Sequence, residues 1–202
     1  MAMRQVIVEQ YAKLPVLINS GSLSGKTYIV TGANIGLGLE TARHLVRCSA
    51  ARVILAVRNV TAGEAAKGDI ERTTGRKGIA EVWHLDLASS SSVQEFARKA
   101  GKELERIDGL IENAGVQLSR WTIAEDMEMC MTVNVINTMF LGVLMMSKLM
   151  ESARKYDIKP IVVFLVSALG FTTAARKELD KGGKANIFKG INNPTQQNMV
   201  QR

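Results

Sequence analysis

A glycine-rich segment at residues 31–38, TGANIGLG, has the residue types that a phosphate-binding turn requires. Glycines are needed where the backbone bends sharply and where a side chain would block an approaching pyrophosphate. Gly32 and Gly36 suit the turn, and Gly38 suits close packing of a helix on a strand. An apolar run precedes the segment and a helical pattern follows it, the context in which such a loop binds a dinucleotide. The alternative interpretation is an ordinary tight turn between a strand and a helix.

Four further polar residues lie where apolar runs end or within a long helical pattern. They are Asp86 in LDL, Asn113 in NAG, Asn134 in VNV and Ser167 in VSA. Each also has a purely structural interpretation: a helix cap, a turn residue, a helix-packing residue and a strand-end cap, respectively. Their order along the chain, taken with the glycine segment, favours one ligand site at the carboxyl edge of a parallel sheet.

The second apolar run ends in Val57-Arg58-Asn59, with no acidic residue at that position. An Asp or Glu there would bind the free ribose 2′-hydroxyl of NAD, whereas a cation suits the 2′-phosphate of NADP. The Arg58 guanidinium can pair with a phosphate through two parallel hydrogen bonds. A surface arginine at a strand end is the alternative, and the sequence favours NADP over NAD.

Apolar runs rich in β-branched residues alternate with helical patterns along the chain. Strands are predicted at residues 26–31, 52–57, 80–85, 109–111 and 161–167, and helices at residues 36–48, 61–74 and about 124–156. A further helix is predicted to open on a capping box formed by Ser92 and Glu95. The fifth run is apolar throughout, as expected of a strand covered on both faces.

This alternation implies right-handed βαβ units and a parallel sheet. We therefore expect an α/β fold, a Rossmann-like doubly wound sheet in three layers. The expected domains are an N-terminal extension at residues 1–22, a NAD(P)-binding Rossmann domain at residues 23–170 and a basic tail or loop at residues 171–202.

Over roughly residues 23–167, the ordered motifs resemble the short-chain dehydrogenase/reductase family, whose glycine segment reads T-G-x-x-x-G-x-G. The segments RHLVR, RVILAVRN and GEAAKGDIERTTG are similar to fungal, retinol-dehydrogenase-like members of secondary metabolism. The resemblance implies that Ser167 orients the substrate oxygen and that Asn134 helps to place a water. Glu112 stands where the family more often has Asn. The cofactor contacts it implies are Gly32, Asn34, Ile35, Gly36, Leu37, Gly38, Arg58, Asn59, Asp86, Leu87, Asn113, Ala114 and Gly115.

In this family a Tyr transfers the proton, and a Lys four residues later lowers its pKa from about 10. The three tyrosines do not fit that role. Tyr11 precedes the fold, Tyr28 lies in the first strand, and Tyr156 has Pro160 where the Lys belongs. We therefore expect a chain that is truncated before the Tyr-x-x-x-Lys motif, with a sheet that is incomplete on its C-terminal side.

An incomplete sheet would also leave part of the long helix uncovered, and an exposed apolar patch favours a homodimer or another partner. The face concerned includes some of Met139, Phe140, Val143, Leu144 and Met146. Three functions are compatible with the sequence. Two act on a small-molecule substrate: an NADP-dependent carbonyl reductase or alcohol dehydrogenase by descent, and a non-redox isomerase or cyclase. The third is an inactive cofactor-binding or partner-binding protein.

The composition argues against several other classes. The chain has a net charge of +7, but its basic tail has only Phe188 as an aromatic residue, which argues against nucleic-acid binding. Cys48 and Cys130 are too far apart to indicate a metal site or a disulfide framework, so we expect no metal and a cytoplasmic location. Polar residues interrupt the apolar stretch 133–150, which favours a buried helix over a membrane span.

Overall fold

The computed structural model describes residues 21–167 and Asn192. Contacts divide the chain into two units, one of Ser20–Leu165 and the other of Met1–Asn19 with Val166–Arg202. The fold below is that of the first unit. The predicted extension and tail lie almost entirely outside the described residues, so the predicted domain boundaries remain predictions.

Five parallel strands form the central sheet. They are β1 at Thr27–Thr31, β2 at Arg52–Val57, β3 at Ala80–His84, β4 at Gly109–Glu112 and β5 at Ile161–Phe164. Their order in the sheet is β3-β2-β1-β4-β5. Because the chain winds outward from β1 to β3 and then crosses back to β4, the carboxyl ends of β1 and β4 form a topological switch point. The predicted doubly wound α/β fold is confirmed.

Helices cover both faces of this sheet. They are α1 at Gly36–Arg47, α2 at Val60–Thr74, α3 at Ser90–Glu103 and α4 at Met129–Tyr156. Neighbouring residues of β1 point to opposite layers. Ile29 joins a core that includes Phe96 and Leu141, whereas Val30 joins a core with Val46 and Ile70. This alternation produces the three layers, with α1 and α2 on one face and α3 and α4 on the other.

The predicted capping box at Ser92 and Glu95 is wrong. The helix begins at Ser90, and its N-cap residue is Ser89, whose hydroxyl accepts a hydrogen bond from the Ser92 backbone N–H. The Ser92 hydroxyl turns back instead and accepts a bond from the backbone N–H of Asp86 at 3.0 Å. A run of four serines offers several competing caps, and tertiary contacts select among them.

The long helix begins later than its apolar pattern indicates. The two-residue strands Ile123–Ala124 and Met127–Glu128 pair as an antiparallel hairpin before α4. The hairpin turns at Glu125 and Asp126, both with positive φ values that helical residues do not adopt. Within α4, the segment Thr132–Asn137 is π-helical. Such short π segments are frequent at functional sites.

The prediction that the fifth strand is covered on both faces is wrong for the described structure. Ile161 and Val163 on one face of β5 are exposed, whereas Val162 on the other face packs against the core. In the described sheet β5 is also an edge strand. The outer face of α4 is also open at Met139, Val143 and Met146. The other two residues predicted for this face, Phe140 and Leu144, pack against the core.

Among the described residues, α4 is the one helix long and apolar enough to cross a membrane by length and composition. Its inner face is committed to the protein core, since Leu141, Met145 and Leu149 are each less than 5% exposed. This packing agrees with the predicted buried helix.

Two glycines of α2 provide a test of how closely this helix packs on the sheet. A Cβ at Gly63 would lie 2.6 Å from Val82 and 2.7 Å from Val57, whereas a Cβ at Gly68 would meet nothing within 4 Å. We expect Gly63→Ala to lower the free energy of unfolding by about 1–3 kcal/mol. The matched control Gly68→Ala should leave it unchanged or raise it by up to ~1 kcal/mol. Urea unfolding of both variants checks this, and equal effects would contradict the packing.

Candidate functional site

A crevice of about 340 Å³ opens at the carboxyl ends of β1 to β4. This position is where open α/β sheets bind ligands, at the switch point in strand order. Ten of the predicted cofactor residues line it: Gly32, Asn34, Ile35, Arg58, Asn59, Asp86, Leu87, Asn113, Ala114 and Gly115. The sequence therefore located the crevice, although the binding roles of these residues stay predictions.

The glycine segment has the backbone geometry expected of it. Gly32 and Gly36 have φ values of 64° and 58°, which favour glycine because they lie in the left-handed region. A Cβ at Gly38 would lie 2.5 Å from the Gly32 carbonyl oxygen and closer still to the Asn113 side chain. The predicted close packing at Gly38 is confirmed. The other three predicted cofactor residues, Gly36, Leu37 and Gly38, form the first turn of α1 and are not among the residues that line the crevice. Leu37 is exposed.

The start of α1 differs from the starts of α2 and α3. Asn59 accepts a hydrogen bond from the Ala62 N–H at the start of α2, and Ser89 serves α3 in the same way. The N-cap residue of α1 is Ile35, which lines the crevice and provides no side-chain bond. The first turn of α1, like those of α2 and α3, contains no acidic residue. Its N–H groups and positive dipole end are therefore available to an anion.

Three hydrogen bonds join the ends of β1 and β4. The Thr31 hydroxyl accepts from the backbone N–H groups of Asn113 and Ala114, at 3.0 and 2.9 Å. The Asn113 amide in turn donates to the Thr31 carbonyl oxygen at 2.9 Å. The predicted structural role of Asn113 as a turn residue is thus present, and it fixes one wall of the crevice.

Two charged residues line the crevice, Arg58 and Asp86. Arg58 is exposed and forms no ion pair with any residue of the described ranges, so its guanidinium is available to a ligand. Asp86 uses one carboxylate oxygen to accept from the Ala88 N–H at 2.9 Å, which closes the turn after β3. Its second oxygen remains for a ligand. The side-chain oxygen of Asn59, by contrast, caps α2 by accepting from the Ala62 N–H at 3.0 Å.

Glu112 is a buried carboxyl group at the end of β4, directly before the wall residue Asn113. It is 2% exposed, and neither carboxyl oxygen has a hydrogen-bond partner among the described residues. Desolvation by burial raises the pKa of Glu112 to about 8, and the nearby Thr31 hydroxyl acts in the opposite direction. The group is therefore mostly protonated and neutral at pH 7.

The two predicted catalytic residues have different positions. Asn134, in the π-helical segment, accepts from the Val116 N–H and donates to the Val116 carbonyl oxygen, both at 2.8 Å. It therefore holds the loop after β4 and does not itself line the crevice. Ser167 is exposed, lies beyond the end of β5 and belongs to the second unit, so its predicted role stays untested.

Two tyrosines lie within the described residues, and both are remote from the crevice. The Tyr28 ring packs over Gly109 at the amino end of β4. The Tyr156 hydroxyl, at the end of α4, donates to Glu105 at 3.4 Å. Tyr11 lies outside the described residues.

Sequence reasoning missed four apolar wall residues: Ala56, Leu85, Val116 and Val133. All four directly neighbour residues of the motifs on which the predictions rested, so their proximity was an available signal. At the VNV motif the crevice is lined by Val133, whereas the predicted residue Asn134 does not line it.

The family model for short chain dehydrogenases matches residues 26–185. The chain belongs to the short-chain dehydrogenase family. This match spans all five strands and the whole crevice.

Similar proteins occur in fungi and in animals. The short chain dehydrogenase/reductase dmxR8 of Cryptosporiopsis sp. (strain 8999) is 44% identical over 165 residues, covering 81% of this chain and 51% of the relative. The short chain dehydrogenase atnD of Emericella nidulans is 42% identical, and the match covers 96% of this chain and 60% of the relative. Human retinol dehydrogenase 13 is 40% identical, and the match covers 73% of this chain and 44% of the relative. The predicted resemblance is confirmed, and the chain spans about half the length of the curated relatives it matches.

Solved structures share the fold. A short chain dehydrogenase from Shigella flexneri 2a str. 301, complexed with NADP, has a TM-score of 0.60 and 27% identity, covering 76% of this chain and 63% of that one. One from Escherichia coli CFT073, complexed with NADPH, has the same TM-score and identity and covers 84% and 65%.

The buried Glu112 predicts a pH dependence of stability. The carboxyl ionises near pH 4.5 in the unfolded chain but near pH 8 in the folded one. Below pH 4.5 the neutral Glu112 makes its full contribution to the free energy of unfolding. Between pH 4.5 and 8 this contribution falls by about 1.4 kcal/mol per pH unit, because the unfolded chain releases the proton and the folded protein keeps it. Glu112→Gln cannot ionise. We therefore expect its Tm minus that of the unmodified protein to increase as the pH rises from about 5 to about 8.

The exposed Glu95 on α3 offers a matched control, because Glu95→Gln removes a carboxylate without changing a buried group. Its Tm difference from the unmodified protein should stay constant over the same pH range. A constant difference for Glu112→Gln as well would show that Glu112 ionises normally in the folded protein.

Proposed function

We propose that this chain provides the NADP(H)-binding part of an oxidoreductase that interconverts carbonyl and alcohol groups on a small-molecule substrate. The observation that carries the proposal is the crevice at the switch point, with an uncapped helix N-terminus on one side and an unpaired arginine on the other. The solved relatives complexed with NADP and NADPH support the choice of cofactor.

The pyrophosphate is proposed to bind at the start of α1. Ile35 leaves the first N–H groups of the helix without a side-chain acceptor, and the turn glycines Gly32 and Gly36 keep the approach free of side chains. A doubly charged group at a helix N-terminus is stabilised by both the N–H groups and the helix dipole.

The adenosine end is proposed to lie across the ends of β2 and β3. Arg58 is available for the 2′-phosphate, and the second carboxylate oxygen of Asp86 is available to the adenine amino group. At neutral pH a protonated Glu112 adds no negative charge beneath the anionic cofactor. When bound, NADPH supplies a hydride to the substrate carbonyl.

On the substrate side, Asn134 and Ser167 keep the roles that the family implies, with Ser167 orienting the substrate oxygen. A second function, cofactor binding without redox chemistry, is favoured by one observation: Tyr28 and Tyr156 both lie far from the crevice. A role in fungal secondary metabolism, a cytoplasmic location and a homodimer that covers the outer face of α4 complete the proposal.

The cofactor assignment is tested with Arg58→Asp. Loss of the cation and gain of a like charge should weaken NADPH binding by roughly tenfold or more, because a charge-assisted pair is replaced by repulsion. NADH lacks the 2′-phosphate, so its Kd should change less than about threefold. Titrations followed by NADPH and NADH fluorescence measure both constants.

Arg98→Asp on the exposed surface of α3 is the matched control, since it makes the same change in net charge away from the crevice. It should leave both constants close to those of the unmodified protein. Equal losses for NADPH and NADH in Arg58→Asp would remove the case for the 2′-phosphate. If the unmodified protein bound neither nucleotide, the proposed function itself would be lost.

A further inference from the structure

The π-helical segment of α4 carries two asparagines, and each holds a loop that lines the crevice. Asn134 holds Val116, in the loop after β4, through both of its amide atoms. Asn137 holds the loop after β3, because its amide donates to the Leu87 carbonyl oxygen at 2.9 Å. Asn137 is 2% exposed, so this bond is shielded from water.

Asn137 has a second neighbour, the carboxylate of Glu125 in the hairpin turn. The amide nitrogen of Asn137 lies 3.5 Å from one oxygen of Glu125, at the outer limit of a hydrogen bond. The other oxygen accepts from the backbone N–H and the hydroxyl of Ser90, at 2.7 and 2.9 Å. Glu125 therefore joins the hairpin to the first residue of α3, 35 positions away in the chain.

The electrostatics agree with this contact. The pKa of Glu125 is lowered, first by the hydrogen bond from the Ser90 backbone N–H, and the Ser90 hydroxyl and the Asn137 amide act in the same direction. An ionised carboxylate at the start of α3 also interacts favourably with the helix dipole. Glu125 is thus charged at neutral pH and bound to α3.

The backbone at the hairpin turn is strained. Glu125 and Asp126 have φ values of 51° and 67°, in the left-handed region that costs a non-glycine residue about 1 kcal/mol or more. Such conformations persist where surrounding contacts over-determine them. The bonds from Glu125 to Ser90 supply such a contact, so the strain and the polar network occur at the same place.

The turn after β3 depends on this network at one point. Local bonds hold Asp86, since its N–H donates to the Ser92 hydroxyl and its carboxylate accepts from Ala88. The Leu87 carbonyl is held from outside the turn, by Asn137. Asp86 and Leu87 both line the crevice, so a shift of Leu87 would change its wall.

We propose that Asn137 and Glu125 are positioning residues, which set the turn of Asp86 and Leu87 for the adenine end of the nucleotide. The inference rests on the proposed function, because it takes the crevice as the dinucleotide site. Neither residue lines the crevice, so both act through the Leu87 backbone. Asn137 and Glu125 thus fix the loop after β3, in the same way as the bonds of Asn134 to Val116 fix the loop after β4.

The test uses Asn137→Ala in the 202-residue chain, with 2′,5′-ADP and NADPH as ligands. The first ligand carries the adenine and the 2′-phosphate but no nicotinamide. Removing one buried hydrogen bond should raise the Kd for both ligands by the same factor, roughly three- to tenfold. A loss for NADPH with an unchanged Kd for 2′,5′-ADP would overturn the proposal, because the effect would then lie outside the adenine subsite.

Ser152→Ala provides a matched control on the same helix. Ser152 is fully buried, and its hydroxyl accepts from the Ile107 backbone N–H at 3.0 Å, before the amino end of β4 and thus at the end of the strands opposite the crevice. This variant should lose Tm as Asn137→Ala does, yet bind 2′,5′-ADP as the unmodified protein does. If Ser152→Ala weakened 2′,5′-ADP binding equally, the effect of Asn137 would be general destabilisation and the inference would fail.

Glu125→Ala is the second variant, and its exposed position makes folding less sensitive to the change. We expect it to weaken 2′,5′-ADP binding in the same direction, and the double variant with Asn137→Ala to lose less than the product of the single losses. Fully multiplicative losses, or no loss with Glu125→Ala, would overturn the paired role. An unmodified protein that binds neither ligand would instead refute the proposed function.

Discussion

The crevice depends on one contact, the hydrogen bonding of Thr31 with Asn113 and Ala114 across the ends of β1 and β4. The strand order reverses between β1 and β4, so the loops that follow these strands lead in opposite directions. Strand pairing alone would not hold the two loops together. The Thr31 hydroxyl accepts hydrogen bonds from two backbone N–H groups just beyond the end of β4. Gly38 approaches the same point so closely that only a glycine fits. The helix start, the glycine turn and the loop after β4 are therefore fixed relative to one another.

Local patterns were sufficient for the features that depend on local chemistry. The alternation of β1 and β2 with their helices, the turn glycines and the strand-end position of Asp86 all follow from residue type and spacing. The hairpin before α4, the π-helical segment and the choice of Ser89 as the cap of α3 did not follow. The hairpin turn and the start of α3 are joined by Glu125 and Ser90, which lie 35 positions apart, and apolar periodicity carries no information about such pairs. The exposure of β5 was missed because an apolar run specifies a strand but not its neighbours.

The charges around the crevice are arranged unevenly. At α2 and α3 the protein satisfies the helix N-termini with its own side chains, whereas at α1 an isoleucine occupies the cap position. The buried carboxyl of Glu112 would repel a phosphate if it were ionised, but desolvation keeps it neutral at pH 7. The N-terminus of α1, which favours an anion, is thus left open, and the carboxyl group of Glu112, which would disfavour one, is neutral. This arrangement agrees with the proposed function, because an open helix start and a glycine turn together suit the pyrophosphate of a dinucleotide.

The bond between Thr31 and Asn113 also joins residues 82 positions apart, with two complete strand–helix units between them. Loop-closure entropy must be overcome before this bond can form, and contacts of such long range slow the search for the native state. The pairings of β1 with β2 and of β2 with β3 join residues that are nearer in sequence, so the contact between Thr31 and Asn113 closes a longer loop than those pairings do. A nucleotide that binds only the finished crevice would then draw the folding equilibrium forward by mass action. The contact that shapes the crevice therefore carries a high loop-closure cost, and binding of the proposed nucleotide would offset part of that cost.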